Sequence, residues 1–263
     1  MSGKSITSRE NPLYKEIKHL AGSSQARRKA GRTLLEGVHL CQAYLQHIGV
    51  PPVCVVSEGC VSHVEVAPLL AHCLSGQGQC IILPDALYGA LSQVEQGVGL
   101  LFVIPTPALL PPSPLQSGAV LLDQLQDPGN LGSILRSAAA AGITQIFCSP
   151  DTTFAWSPKV LRAAMGAHFL LQIRENVDLA ALIEQAQIPV IATSSHVPTS
   201  LYAMDLTKPV AWLFGHEGQG VDPRLLARAT HKVTIPQIGQ IESMNVAASA
   251  AVCFFEQVRQ LQL

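Results

Sequence analysis

AVLLDQLQDPGNLGSILRSAAAAGITQIFCS, residues Ala119–Ser149, decides the fold class. "AVLLD" is a short apolar run with the composition of a buried strand. Asp127 and Pro128 end its exit, and Asn130 is placed to cap a helix over "NLGSILRSAAAAG", which Gly142 stops. "TQIFCS" then reads as a second strand. A strand, a helix and a strand in so short a space form a βαβ unit, whose strands run parallel. At 100° per residue, Leu135 and Ala138 share the apolar side of Leu131, while Arg136 points away from it, aligned with Gly132 and Ala140.

The alternation continues outward. Downstream come a helix around "PKVLRAAMGAHF", a helix "DLAALIEQAQ" and the strands "PVIATS" and "PVAWLFG". "DPRLLARA" reads as a short helix, "HKVTI" as a strand and "SMNVAASAAVCFFEQVRQL" as a long closing helix. Upstream, "PTPALLPPSPLQSG" (Pro105–Gly118) holds five prolines in fourteen residues and reads as an extended linker. Before it, "NPLYKEIKHLAG" is a helix, "TLLEG" a strand, and "VHLCQAYLQHIG" a helix. "VCVVS", "CIIL" and "VGLLFVI" are further strands, with helical segments after the first two. The expected organisation is a small α/β/α domain over 1–104, a linker over 105–118 and a parallel α/β domain over 119–263. Parallel strands with crossover helices are the default throughout.

The chain has 263 residues, 48% of them apolar and 13% charged, enough to bury a real core. Its formal net charge of -1 says nothing about nucleic acid, but the distribution does. Residues 1–40 carry eight Lys and Arg against three Glu, whereas residues 41–118 carry four acids and no Lys or Arg. Such a basic start fits a phosphate-binding face and equally an ordinary solvated helix face. Seven cysteines, with no C-x-x-C pair and several inside apolar runs, read as free thiols of a reducing cytoplasm. Cys60-x-x-His63 with His72-Cys73 lacks the two tight pairs of a structural zinc site, so no metal is expected. No signal peptide and no run long enough to cross a bilayer is present, so a soluble cytoplasmic protein is expected.

A parallel sheet binds ligands outside the carboxyl ends of its strands. No G-x-G-x-x-G, no G-x-x-x-x-G-K-[ST] and no G-x-S-x-G lies at those exits. Nicotinamide-linked oxidoreductase, NTPase and α/β-hydrolase readings lose their support. Three other exits stand out. The first holds Asn130, Gly132 and Arg136, the first cation since Arg32. The second, "LFGHEGQGVD", sets Glu217 among Gly215, Gly218 and Gly220, residues that permit tight turns. The third, "IPQIGQIESMNVAAS", ends a strand at Ile235-Pro236 and offers Ser243 as a helix cap, with Asn245 in the first turn. Taken singly, each is also an ordinary solvated arginine, surface turn or capped helix.

Together, Asn130-x-Gly132-x-x-x-Arg136, Gly215-x-Glu217-Gly218 and Ile235-Pro236…Ser243-x-Asn245-Val246 resemble the three ordered motifs of the SpoU-type RNA ribose 2′-O-methyltransferases, the TrmH family of the SPOUT superfamily. The match spans 119–263, and "SRENPLYKEIKHL" and "RKAGRTLLEGVHL" resemble the opening of that family's substrate-binding domain. Met244, where leucine is commoner, and the variable His216 are its departures.

The resemblance implies a C-terminal SPOUT domain with a parallel sheet and a deep trefoil knot, S-adenosyl-L-methionine as cofactor, RNA as substrate and a homodimer. It places Gly215, Ile235 and Met244, with Thr193 and Gly220, at the cofactor. Arg136, Asn130, Glu217, Ser243 and Asn245 fall at the catalytic positions. An arginine stays protonated, so Arg136 is expected to grip a phosphate and stabilise charge at O2′, with the other four orienting it, the ribose and each other. Arg9, Arg27, Arg28, Lys29 and Arg32 are expected to bind RNA, and Val252, Phe254, Phe255 and Val258 to be partly buried between subunits. Ribosomal RNA of the large subunit is the expected substrate. Transfer RNA, or a catalytically silent RNA-binding factor on the same scaffold, are the alternatives.

Overall fold

The computed structural model describes residues 3–94, 97–108, 112–241 and 243–262. Leu109, Leu110 and Pro111 of the expected linker lie outside the described residues, and 112–118 carry no helix or strand. Two compact units are present: Met1–Ala108 with Trp156–Phe169, and Leu109–Ala155 with Leu170–Leu263.

In the first unit, strand β1 (Lys4–Ser5) precedes helices α1 (Pro12–Gly22) and α2 (Ser24–Ala30). Strand β2 (Arg32–Glu36), helix α3 (Val38–His47), strand β3 (Val53–Ser57) and helix α4 (Val66–Ser75) follow. Strand β4 (Gln79–Leu83), the one-turn helix α5 (Asp85–Gly89) and strand β5 (Leu100–Pro105) complete the sheet, ordered β1-β4-β3-β5-β2. The parallel default fails at β5, which runs antiparallel to both β3 and β2. The reason lies in the connection: five-residue α5 is too short to cross back over the sheet, so the chain turns at the carboxyl edge and returns directly. There the Gly99 carbonyl accepts the Ser57 N–H at 2.8 Å.

The second unit opens with strand β6 (Ala119–Leu122), helix α6 (Pro128–Ala140) and strand β7 (Gln145–Cys148). Helix α7 (Pro158–Ala164), expected from sequence, belongs to the first unit and packs on β2. Thr33 Oγ1 donates to the Trp156 carbonyl at 2.7 Å, and Tyr44 meets the Phe169 ring edge-on at 5.3 Å. The second unit resumes with strand β8 (Gln172–Arg174), helix α8 (Leu179–Glu184), strand β9 (Val190–Thr193) and strand β10 (Ala211–Phe214). Helix α9 (Pro223–Arg228), strand β11 (His231–Val233) and helix α10 (Val246–Leu261) close it. All six strands are parallel, in the order β11-β9-β10-β6-β7-β8, so β10 slips between β9 and β6. Strands β1 and β8 and helix α2, too short for a clear period, were not expected.

Strand alternation distributes the core of this second unit. Leu121, Phe147, Ala211 and Leu213 join Leu179, Leu182 and Leu225 on one face, the face of α8 and α9. Trp212 and Phe214 point to the other face, where Phe214 meets Phe254 of α10 edge-on at 5.7 Å and Trp212 Nε1 donates to Gln257 at 3.0 Å. Helix α6 packs against α10 on that side with Leu131, Leu135 and Ala138 buried, as its periodicity predicted. Four helices start alike: Asn11-Pro12, Asp127-Pro128, Ser157-Pro158 and Asp222-Pro223 each pair a side-chain cap with a proline at the first turn. Among the described residues no helix is long and apolar enough to cross a membrane.

Candidate active site

Strands β6, β9, β10 and β11 are parallel neighbours, so their carboxyl ends open on one edge of the sheet. Thr193 ends β9, Gly215 follows β10, and Ile235 lies two residues beyond β11. The Thr193 and Ile235 exits are joined through backbone: Ser194 N donates to Val233 O at 2.9 Å and Thr234 N to Thr199 O at 2.8 Å. At the neighbouring exit, buried Asp123 accepts the Asp222 N–H at 2.9 Å and ties the glycine loop to β6.

That loop folds back on itself. Gly220 N donates to His216 O at 2.8 Å, and His216 Nδ1 accepts from Gly218 N at 3.0 Å. Gly220 takes a positive φ of 73°, as expected of a tight turn. Gly215 is required for a different reason: a Cβ there would lie 2.1 Å from the backbone of Gly220 and Val221. The turn aims Glu217 back at α6. Its Oε1 accepts the Asp127 N–H at 3.0 Å and Asn130 Nδ2 at 3.2 Å, and Oε2 accepts the Gln126 N–H at 3.1 Å.

Two helix caps differ from expectation. Asp127, not Asn130, caps α6, because Pro128 occupies the first helical position and Asp127 Oδ1 accepts the Asn130 N–H at 2.8 Å. Asn245, not Ser243, caps α10, its Oδ1 accepting the N–H groups of Ala247 at 2.9 Å and Ala248 at 3.2 Å. These two caps bring the three loops together. With its own helix capped by Asp127, Asn130 is free to accept Asn245 Nδ2 at 2.9 Å while donating to Glu217. Each amide orientation is dictated by its neighbours, since Glu217 only accepts and the α10 N–H groups only donate. Asn130, Glu217 and Asn245, far apart in the chain, thus form one hydrogen-bonded line. The Asp-Pro step was the signal in the sequence for the Asp127 cap; nothing local announced the pairings.

Burial pushes the Glu217 carboxyl upward. The N–H groups of Asp127, Glu217 itself and Gln126 and the Asn130 amide outweigh it, leaving the group below the usual carboxylate range. It is a fixed anion whose lone pairs are engaged.

Arg136 stands apart. It lies exposed on α6, six residues and about 9 Å of helix rise beyond Asn130. Among the described residues it makes no hydrogen bond or ion pair, while Glu217, Asn130 and Asn245 orient one another. Ser243 is exposed, and Ile235, Met244 and Thr193 are half-buried. Among the described residues, no group of three or more His, Cys, Asp and Glu is arranged to hold a metal ion.

Of the expected RNA-binding cations, Arg9, Arg28 and Lys29 are exposed. Arg32 pairs with Glu16. Arg27 is turned to a different job: it is buried, and its Nη1 donates to the carbonyls of Leu20 at 2.5 Å and Ala21 at 3.2 Å, capping α1. On α10, Phe254 is buried inside its own unit, whereas Phe255 is 48% exposed and Val252 and Val258 are half-buried. The seven cysteines are free, and all but Cys60 are buried.

The profile of the SpoU rRNA Methylase family matches residues 118–255. An uncharacterized tRNA/rRNA methyltransferase of Synechocystis sp. is 36% identical, covering 97% of this chain and 94% of that protein. The 23S rRNA (guanosine(2553)-2′-O)-methyltransferase of Bacillus subtilis is 30% identical, covering 96% of this chain and 98% of that protein. Among solved structures, an AdoMet-bound rRNA methyltransferase from Sinorhizobium meliloti aligns with a TM-score of 0.83 at 26% identity, over 98% of each chain.

Proposed function

The chain belongs to the SpoU rRNA methylase family, and from that premise we propose that it transfers a methyl group from S-adenosylmethionine to a ribose 2′-hydroxyl of large-subunit ribosomal RNA. The observation that carries this reading is the line Glu217–Asn130–Asn245, which fastens three strand exits together at the start of the helix that carries exposed Arg136. The 23S ribosomal RNA specificity named for the Bacillus relative, alike over nearly its whole length, favours ribosomal over transfer RNA.

The residues at the sheet edge suit the cofactor. Ile235 and Met244 offer half-buried apolar surface for a purine, and Gly220 leaves open space where a side chain would stand. None of Thr193, Gly215, Gly220, Ile235 and Met244 is cationic, so a positively charged sulfur meets no repulsion there. When bound, S-adenosylmethionine supplies a methyl group that an attacking oxygen can displace from sulfur. As the O2′–CH3 bond forms, O2′ passes its proton to water, and the negative charge developing on it must be stabilised. Arg136, protonated at every working pH, serves by holding the adjoining phosphate and the developing negative charge. Glu217 does not take the proton: its oxygens are held by three N–H donors, so it positions the loops instead. Asn130 and Asn245 set the spacing between the α6 and α10 ends, and exposed Ser243, two residues before Asn245, serves for a ribose contact.

The same reading assigns Arg9, Arg28, Lys29 and Arg32 to the phosphate backbone, giving an RNA affinity that falls steeply with salt. It assigns the outer stripe of α10, Val252, Phe255 and Val258, to a homodimer interface in which a second copy covers Phe255. Sedimentation returning only monomer at micromolar concentration would remove that assignment. The insertion of β10 between β9 and β6 fits a deep trefoil knot, and seven free thiols fit the cytoplasm.

The test is tritium transfer from labelled cofactor to ribosomal and transfer RNA from cells lacking this protein, followed by alkaline hydrolysis. Ribose methylation blocks cleavage, so the label should appear in alkali-stable dinucleotides of large-subunit RNA. Label in transfer RNA alone would move the substrate. Cofactor binding with no transfer to any RNA would make the chain a silent binding factor.

A further inference from the structure

A cavity lies wholly within the first unit, at the carboxyl edge of its sheet. It has a volume of about 630 Å³ and is lined by Ser57, Gly59, Asp85, Tyr88, Ser92 and Gln93 with further glycines. That is the size range of small-ligand pockets. Its lining contains no Lys or Arg, and none stands anywhere between Arg32 and Arg136. Asp85 is its charged group. The Oδ1 of Asp85 is engaged, accepting Ser57 Oγ at 2.5 Å and Gly59 N at 2.9 Å. Its Oδ2 accepts nothing among the described residues, and the side chain is exposed. Behind it, buried Glu36 takes the Gln93 N–H at 2.9 Å and the Ser92 hydroxyl, fixing the far wall. Tyr88 is buried, and its hydroxyl has no hydrogen-bond partner among the described residues.

These features select a ligand by chemistry. A phosphate would meet the Asp85 charge with no cation to offset it. A flat neutral ring bearing an exocyclic amino group would offer one of its N–H donors to Asp85 Oδ2 and lie against glycine walls. Cations stand close by for a charged backbone. Gln93 donates its side-chain amide to the Ala21 carbonyl, which Arg27 of α2 also holds, and the same helix carries exposed Arg28 and Lys29. We propose that this cavity is a nucleobase subsite, in which an unstacked base of the RNA substrate gives its exocyclic amino group to Asp85 while α2 holds the flanking phosphates. Protein recognition of RNA sequence works largely on such splayed-out bases. This inference rests on the RNA reading above, and adds a recognition element in a different unit from the methyl-transfer site.

Fluorescence anisotropy of the full chain with labelled heptauridylate, and with the same heptamer carrying a central A, C or G, tests it. At least one amino-bearing base should bind about tenfold more tightly than uracil, a discrimination of the size that direct base contacts give. Replacing that base by its deaminated counterpart should remove the preference, as should Asp85→Asn, which turns the free acceptor into a donor. Gly89→Leu is the second variant: Gly89 lines the cavity, so the larger side chain crowds it, and a Cβ there meets no atom within 4 Å. Wild-type protein without any base preference overturns the proposal, and so does a preference that survives both substitutions. A chain that methylates RNA yet shows neither effect sinks this inference alone. One that transfers no methyl group to any RNA sinks the reading beneath it.

Discussion

Glu217→Gln isolates the electrostatic part of the site without changing its shape. The carboxylate accepts three N–H groups, two through Oε1 and one through Oε2. A glutamine has one oxygen, and its best orientation keeps that oxygen on Asp127 and Asn130. Its NH2 group then faces the Gln126 N–H, donor against donor. A hydrogen bond to a charged group contributes about 1.5–3 kcal/mol, and exposure of Glu217 lets water recover part of that. The expected local loss is therefore about 1–2 kcal/mol, or roughly 5–30-fold in the protection of the Gln126 amide. Amide hydrogen exchange read by NMR measures it directly, with Asp127 changing less than Gln126. The effect should depend on pH in one direction. The folded carboxyl titrates below its unfolded value near 4.5, so its contribution is complete above that value and is lost as pH falls through the lower folded value. Wild-type protection at Gln126 in the variant at neutral pH would refute the claim that this carboxylate holds the α6 entry.

Gly215→Ala places a Cβ 2.1 Å from the Gly220 and Val221 backbone, so the loop must move. A loss of about 3 kcal/mol is expected, visible as a fall of roughly 6–12 °C in the melting of the second unit, and an unchanged melting curve would contradict it. Glu256 is held at about 2 by the hydrogen bonds of Arg259 and Gln260, with the Arg259 charge assisting and burial opposing. Glu256→Gln should therefore be less stable than wild type at pH 6, with the gap closing as pH falls from about 4.5 through about 2. Urea unfolding at several pH values reads this, and a gap that widens in acid would exclude it.

Where local chemistry suffices, the sequence announces the structure. The runs "AVLLD" and "VCVVS" form strands because apolar β-formers crowd between turn residues, and each helix that opens with a cap and a proline starts there. The Leu131–Ala138 face of α6 is buried as its spacing requires. What local pattern does not carry is who meets whom. Asn130 reads as a cap for its own helix, yet Asp127 takes that role and Asn130 turns to residues 87 and 115 positions away. Nothing in "VGLLFVI" tells its direction, which follows from the shortness of α5 before it. Arg27 resembles its basic neighbours in composition but faces the carbonyl end of α1, and only folding distinguishes it. The α7 segment has an ordinary amphipathic sequence, and its placement on β2 depends on the Thr33 hydroxyl and an aromatic contact distant in the chain.

In the proposed reaction Arg136 acts on the reacting oxygen although it touches none of the residues that fasten the loops. Turnover of tritium-labelled cofactor on large-subunit RNA, measured beside calorimetric cofactor binding for wild type, Arg136→Ala and Arg136→Lys, tests this most directly. The alanine variant should lose about 100-fold or more in rate with cofactor affinity nearly intact, as removal of a charge-stabilising donor does. Lysine should recover little, lacking the planar fork that grips a phosphate through two bonds. Near-normal turnover by the alanine variant would contradict the mechanism.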